Sequence, residues 1–226
     1  MSTPCVFLFD VDNTLLDNDA VQADLHAHIE TEFGPQVRAR YVAILEELRS
    51  TLGYVDYLGA LQRLRLEEMR DPKILLLSEF LLEYPFQRRL YPGALEAIGE
   101  LAHKGMVAIL SDGDVVFQPR KVRRSGLWDA VAGRVLIYIH KERMLADVET
   151  RLPARHYVMI DDKRRLLTAM KGYWRERVTT VQPMQGHYAV GAKADNDYPE
   201  PDIVLASIAA AGGLERIPVP PASQVL

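Results

Sequence analysis

The feature that most constrains this 226-residue chain is an alternation of short apolar runs with helix-like segments. The runs are "CVFLF" (5–9), "MVAIL" (106–110), "RVLIYI" (134–139), "HYVMI" (156–160) and "VTTVQ" (178–182), with "DIVLAS" near 202 as a sixth. Each is apolar or β-branched and each ends in polar residues. Strands separated by helices return by crossover connections, so the pattern predicts a parallel sheet covered by helices on both faces. In such sheets the ligand crevice lies at the carboxyl ends of the strands. The polar residues beyond those ends are therefore expected to converge.

One interval breaks the alternation. From Asp17 to about Tyr91 there is no convincing strand. "DAVQADLHAHIETEF", "PQVRARYVAILEELRSTL" and "VDYLGALQRLRLEEM" carry apolar residues at spacings of three and four, the period of an amphipathic helix. Pro72 and Tyr84-Pro85 punctuate the remainder of the interval, and "LYPGALEAIGELAHKG" reads as a turn, a helix and a stop at Gly105. The expected organisation is an α/β core from 1–16 and 92–226 with an all-helical cap, 17–91, inserted between its first two strands. Residues 217–226, "IPVPPASQVL", carry three prolines and are expected to form a loose tail.

Composition narrows the function. At 48% hydrophobic and 26% charged the chain is ordinary for a globular protein, and a net charge of −4 is no nucleic-acid signature. The runs "RKVRRSG" (120–126) and "DKRRLL" (162–167) fall on expected helices and read as solvated faces. "MSTPC" resembles no secretion signal, and "ILLLSEFLLEY" is far shorter than the roughly 20 residues that span a bilayer. No membrane association is expected and the cytoplasm is the expected location. The single cysteine, Cys5, rules out an internal disulfide and reads as a buried thiol.

The strand ends carry the chemistry. The first supplies Asp10 and Asp12, the second Ser111 and Gly113, the third Lys141, and the fourth Asp161-Asp162. Four acids beside one lysine leave excess negative charge, which a hard divalent cation such as Mg2+ would relieve. A lysine and a hydroxyl would then bind the oxygens of an anionic substrate. An EF-hand loop is excluded, because counting from Asp10 places Leu15 where glycine is required and Val21 where glutamate is required. Ser111 lies in no Gly-x-Ser-x-Gly elbow, and the six histidines show no zinc spacing.

"FLFDVDNTLL" resembles the first motif of the haloacid dehalogenase superfamily, apolar residues followed by Asp-x-Asp-x-Thr. "AILSDGD" resembles the second motif, "HKE" falls where the third-motif lysine stands, and "YVMIDD" resembles the acidic fourth. The resemblance implies a Rossmann-like core and a cap between the first and second motifs. Asp10 would be the nucleophile that forms an aspartyl-phosphate, and Asp12 the general acid and then base. Ser111, Asp112, Gly113 and Lys141 would hold the substrate phosphate. Mg2+ would rest on Asp10, the backbone carbonyl of Asp12, and Asp161 with Asp162.

The resemblance also favours one chemistry within the superfamily. A halide leaves without a proton, whereas an alkoxide needs one. The dehalogenases generally lack the acid found here at Asp12, so a Mg2+-dependent phosphatase acting on a small phosphorylated metabolite is expected. The alternatives are a phosphomutase, a dehalogenase, a phosphonatase (with Lys73 as the only lysine of the insert), or a non-catalytic phosphate- or metal-binding module. Asp17 and Asp19 are expected to cap the first insert helix. Trp128 and Trp174 are expected to pack.

Overall fold

The computed structural model describes residues 3–67, 72–190 and 197–214. Its centre is β1 (Thr3–Phe9), whose residues are buried from Cys5 onward on both faces. Side chains alternate across a strand. Phe7 and Phe9 therefore enter one apolar cluster, while Val6 and Leu8 enter another on the opposite face. A strand with no solvated face must lie inside a sheet, and β1 does. It pairs in parallel with β2 (Met106–Asp112) on one side and β4 (Ala154–Ile160) on the other. With β3 (Val135–Tyr138), β5 (Val178–Pro183) and β6 (Ile203–Leu205) the order is β3-β2-β1-β4-β5-β6, all parallel. After β1 the chain builds outward through β2 and β3, then returns to start β4 on β1's other side. This reversal opens a crevice at the carboxyl ends of β1, β2 and β4.

All six strand runs read from the sequence form strands. β2, however, continues to Asp112, because Ser111 and Asp112 still pair with Ile137 and Tyr138 of β3. Ser111 thus stands within the strand rather than beyond it.

The Val6/Leu8 face is covered by α8 (Leu145–Arg151) and α9 (Arg164–Trp174). There Trp174 stacks on Tyr157, ring centroids 4.4 Å apart. The Phe7/Phe9 face is covered by α5 (Ala94–Ala102), α6 (Phe117–Arg124), α7 (Leu127–Ala130) and a 3-10 segment at Ile208–Gly213. Burial pushes the Cys5 thiol up to about 11, as for an inert packing residue.

Between β1 and α5 the chain forms α1 (Asn18–Phe33), α2 (Pro35–Leu52), α3 (Tyr57–Glu67) and α4 (Leu76–Glu83), with short 3-10 turns at 72–75 and 86–89. Their apolar stripes include Leu25 and Ile29, Ile44 and Leu48, Leu61 and Leu64, and Leu77 and Leu81, all buried. Tyr57 of α3, Phe86 and Phe117 of α6 form an aromatic seam, with centroids 5.3 and 5.7 Å apart, that joins these helices to the sheet layer. The outgoing and returning chains are tied together, Asp17 N–H to the Arg89 carbonyl and Tyr91 N–H to that of Leu15. Among the described residues no helix is long and apolar enough to cross a membrane. The expected tail at 217–226 lies outside the described residues.

Gly93, at the turn before α5, has φ +81°. A Cβ there would lie 2.8 Å from Ala209 Cα in the 3-10 segment. Gly93→Ala is expected to destabilise the fold by about 1–3 kcal/mol, read as a lower urea midpoint with an unchanged slope.

Candidate active site

The turn after β1 sets the first carboxylates. Asp10 N–H donates to the Ile160 carbonyl at 2.9 Å, which extends the β1–β4 ladder by one residue. The Val11 carbonyl then accepts from the N–H groups of Thr14, Leu15 and Leu16, and Asn13 takes a left-handed φ of 63°. Asparagine tolerates that region, and its Oδ1 accepts from the backbone of Asn18 and Asp19 at the start of α1. Thr14 Oγ1 accepts the Asp162 N–H at 3.0 Å, which fastens this turn to the one after β4.

Lys141 fills the space between those two turns. It is fully buried, with Nζ 2.5 Å from Asp10 Oδ1, 2.7 Å from Asp161 Oδ2 and 3.2 Å from the Leu110 carbonyl. Its own N–H donates to Asp112 Oδ1 at 2.7 Å, so the Asp112 carboxylate places the lysine. Burial disfavours the charged ammonium. Asp10, Asp161 and Asp112 outweigh that and hold its pKa above the ordinary lysine value.

Asp10, Asp161 and Asp162 each offer an oxygen within 4.8 Å of the others. Among the described residues Asp10 Oδ2 and both Asp162 carboxylate oxygens have no hydrogen-bond partner, although all are buried. Burial pushes the Asp162 carboxyl well up, opposed by the charge of Lys163. Three buried carboxylates with one shared lysine and orphaned oxygens, and among the described residues no histidine or cysteine in the group, suit a hard divalent cation. The side chain of Asp12 is not part of this set.

Asp12 instead faces a cleft of about 760 Å³ between the strand ends and α1–α3. Its Oδ1 meets Lys121 Nζ at 2.7 Å, and its Oδ2 lies 3.4 Å from Gln118 Nε2. Gln118 also donates to Ser111 Oγ at 3.0 Å, which orients a hydroxyl that is 1% exposed. Arg49 and Tyr57 reach the cleft from the helical insert, and Lys163, His187 and Tyr188 from the sheet side. Arg49 donates to the Tyr188 hydroxyl, and the ammonium of Lys163 lies 5.0 Å from the centre of the Tyr188 ring.

The residues expected from the sequence thus meet at one place, with differences of detail. Lys141 Nζ donates hydrogen bonds to Asp10 and to the Leu110 carbonyl and is ion-paired with Asp161, so its ammonium is turned to the acidic cluster. Gly113 N–H is also used, donating to the Tyr138 carbonyl at 2.9 Å. What Gly113 contributes is space, since a Cβ there would lie 2.5 Å from Gln118 Cβ. Asp17 caps α1 through the Ala20 N–H, as expected, whereas Asp19 holds His187 at 2.6 Å. Lys121 corrects the reading of 120–126 as a wholly solvated face, because it is completely buried. Its neighbours Arg123 and Arg124 do lie outward. Arg89, at the return of the insert, pairs with Asp24 away from the cleft.

The cation fit is testable without knowing a substrate. Because burial raises the Asp162 carboxyl, the folded chain keeps a proton that the unfolded chain releases. Cation-free stability therefore falls as pH rises from the usual carboxylate range through the raised folded value. At pH 7 Mg2+ is expected to raise the thermal midpoint of the native chain. Asp162→Asn is expected to melt higher than the native chain without the ion and to lose most of the Mg2+ response, both read by differential scanning fluorimetry.

Comparison with known proteins gives this geometry its context. A family profile described as haloacid dehalogenase-like hydrolase matches residues 6–171, more than half of the chain. A haloacid dehalogenase-like hydrolase from Burkholderia xenovorans LB400 is 59% identical and superposes with a TM-score of 0.90, covering 94% of this chain and 99% of its own. L-2-haloacid dehalogenase from Xanthobacter autotrophicus, with chloropropionic acid covalently bound, is 19% identical with a TM-score of 0.61 over 92% of this chain and 97% of that one. The hydrolase YfnB from Bacillus subtilis, bound to magnesium, is also 19% identical, with a TM-score of 0.62 over 94% and 98%. At such identities the likeness is one of fold. No curated protein sequence matches. The chain belongs to the haloacid dehalogenase-like hydrolases.

Proposed function

We propose that this hydrolase is a Mg2+-dependent phosphatase of small phosphorylated metabolites that works through an aspartyl-phosphate on Asp10. The observation that carries the reading is the second carboxylate, Asp12. It stands in the cleft two residues beyond the buried Asp10, held apart from the acidic cluster by Lys121. A nucleophile alone would suffice to displace halide, but release of an alkoxide from phosphorus calls for a proton donor at the leaving oxygen.

In this reading an oxygen of Asp10 bonds to phosphorus while Asp12 gives its proton to the departing alkoxide. Asp12 then takes a proton from water as that water attacks the same phosphorus, which restores the Asp10 carboxylate and releases phosphate. Lys141 holds Asp10 Oδ1 throughout, leaving Oδ2 without a partner among the described residues. The Ser111 hydroxyl accepts from Gln118 and gives its proton to the Asp112 carbonyl at 3.3 Å, and in this reading it turns that proton to a phosphate oxygen. Mg2+, held by Asp10, Asp161 and Asp162 with the Asp12 carbonyl, would neutralise charge on the transferring group. The helices α1–α4 act as a cap whose inner wall, with Arg49 and Tyr57, selects the alcohol portion and excludes water.

Phosphate release from a panel of phosphorylated metabolites and from 4-nitrophenyl phosphate tests this directly. With Mg2+ the native chain is expected to turn over, EDTA to abolish turnover, and Asp10→Asn to lower kcat by at least about a thousandfold. Halide release from 2-chloropropionate without any phosphate release would overturn the reading.

A further inference from the structure

The buried lysine on α6 has no part in the chemistry above, and its surroundings point to one. Its neighbours on the helix lead away from the cleft. Arg120 pairs with Glu83, Arg123 stacks on Trp128 at 3.8 Å, and Arg124 donates to the Glu83 carbonyl. Lys121 alone turns inward. Its ammonium meets Asp12 Oδ1 at 2.7 Å and Asn18 Oδ1 at 3.0 Å, over the faces of Phe117 (5.1 Å) and Tyr57 (5.9 Å). Gln118, one turn earlier on the same face, approaches the other oxygen of Asp12. A buried ammonium is costly unless paired, and Asp12 is the one carboxylate that it touches among the described residues. Asn18 and Tyr57 belong to α1 and α3 and are themselves joined, Asn18 Nδ2 to the Tyr57 hydroxyl at 3.1 Å. The lysine therefore contacts the Asp12 carboxylate and the helical insert at once.

We infer that Lys121 is a positioning residue for Asp12, holding the acid/base carboxylate toward the leaving-group side of the cleft when α1 and α3 are seated against α6. The inference rests on the proposed role of Asp12. Without the ammonium, Asp12 would keep only its long contact with Gln118, and its carboxylate would turn. Proton delivery would suffer in proportion to how much the leaving oxygen needs a proton. Alkyl phosphates need it most, and 2,4-dinitrophenyl phosphate barely needs it.

The test compares Lys121→Met with the native Mg2+-loaded chain by kcat/KM, which reports the steps through leaving-group departure. The expected loss is about a hundredfold on an alkyl phosphate and less than about threefold on 2,4-dinitrophenyl phosphate. It should disappear when Asp12→Asn is already present. An equal loss on both substrates, or a loss that persists in the Asp12→Asn background, would mean a merely structural lysine and overturn the inference. A crystal structure of Lys121→Met reads the placement independently of turnover. A displaced Asp12 carboxylate supports the inference, and one that keeps its native position overturns it even in a well-folded variant. Failure of the native chain on every phosphate ester would instead sink the phosphatase reading, and the crystallographic arm would still decide the lysine's role.

Discussion

The site is organised by one buried ammonium. Lys141 lies between Asp10 and Asp161, at the ends of adjacent strands β1 and β4, and is itself held by Asp112 at the end of β2. Parallel pairing aligns these strand ends, and parallel sheets with covered faces leave little water there. Carboxylates gathered in that way repel one another and lose hydration. A single cation reaching two of them lets three strands end at one level with acidic residues. Among the described residues the two Asp162 carboxylate oxygens have no hydrogen-bond partner, so Lys141 balances only part of the charge. That residual negative charge makes a cation the natural complement of the fold.

A second ion pair, a short distance along the chain, does a different job. Asp12 lies two residues past Asp10, yet the turn anchored on the Val11 carbonyl sends it away from the acidic cluster to Lys121. Two carboxylates so close in sequence thus acquire distinct surroundings, one buried on Lys141 and one partly exposed in a cleft. Separate environments for paired carboxylates are what a division between nucleophile and acid/base requires. The same turn leads into the helical insert, with Asn13 Oδ1 accepting from the first backbone N–H groups of α1 and Asp19 holding His187. The segment that presents the acids also connects the two layers that enclose them.

How much of this is legible in the sequence depends on whether a residue's place follows from its own segment. Asp10, Ser111, Asp161 and Asp162 sit at the ends of apolar runs, and a parallel sheet brings such ends together whatever the details. Lys141 can be found by its position after the third strand, although its pairing with both Asp10 and Asp161 cannot. Lys121 escapes notice because arginines surround it in "RKVRRSG", and a basic helix read in isolation presents all its charge to water. Gln118, three residues before it, is the available signal, since the pair falls on the helix face that also carries the buried Phe117 and Val122. Gly113 reads as a donor within a phosphate loop, but β2 runs on far enough for its N–H to join the ladder with Tyr138.

The sequence by itself determined the alternating elements, the helical interval between the first two strands and the level at which four acids and a lysine end. Those features arise from short-range periodicity and from the rule that parallel strands share a carboxyl edge. Only the tertiary structure decided which cation serves which acid, with Lys141 on Asp10 and Asp161 and Lys121 on Asp12. It also decided that Lys121 joins Asp12 to the helical insert, through Asn18 Oδ1. Ion pairing between segments more than a hundred residues apart depends on how helices rotate against a sheet. That rotation is set by packing of the whole core rather than by local sequence.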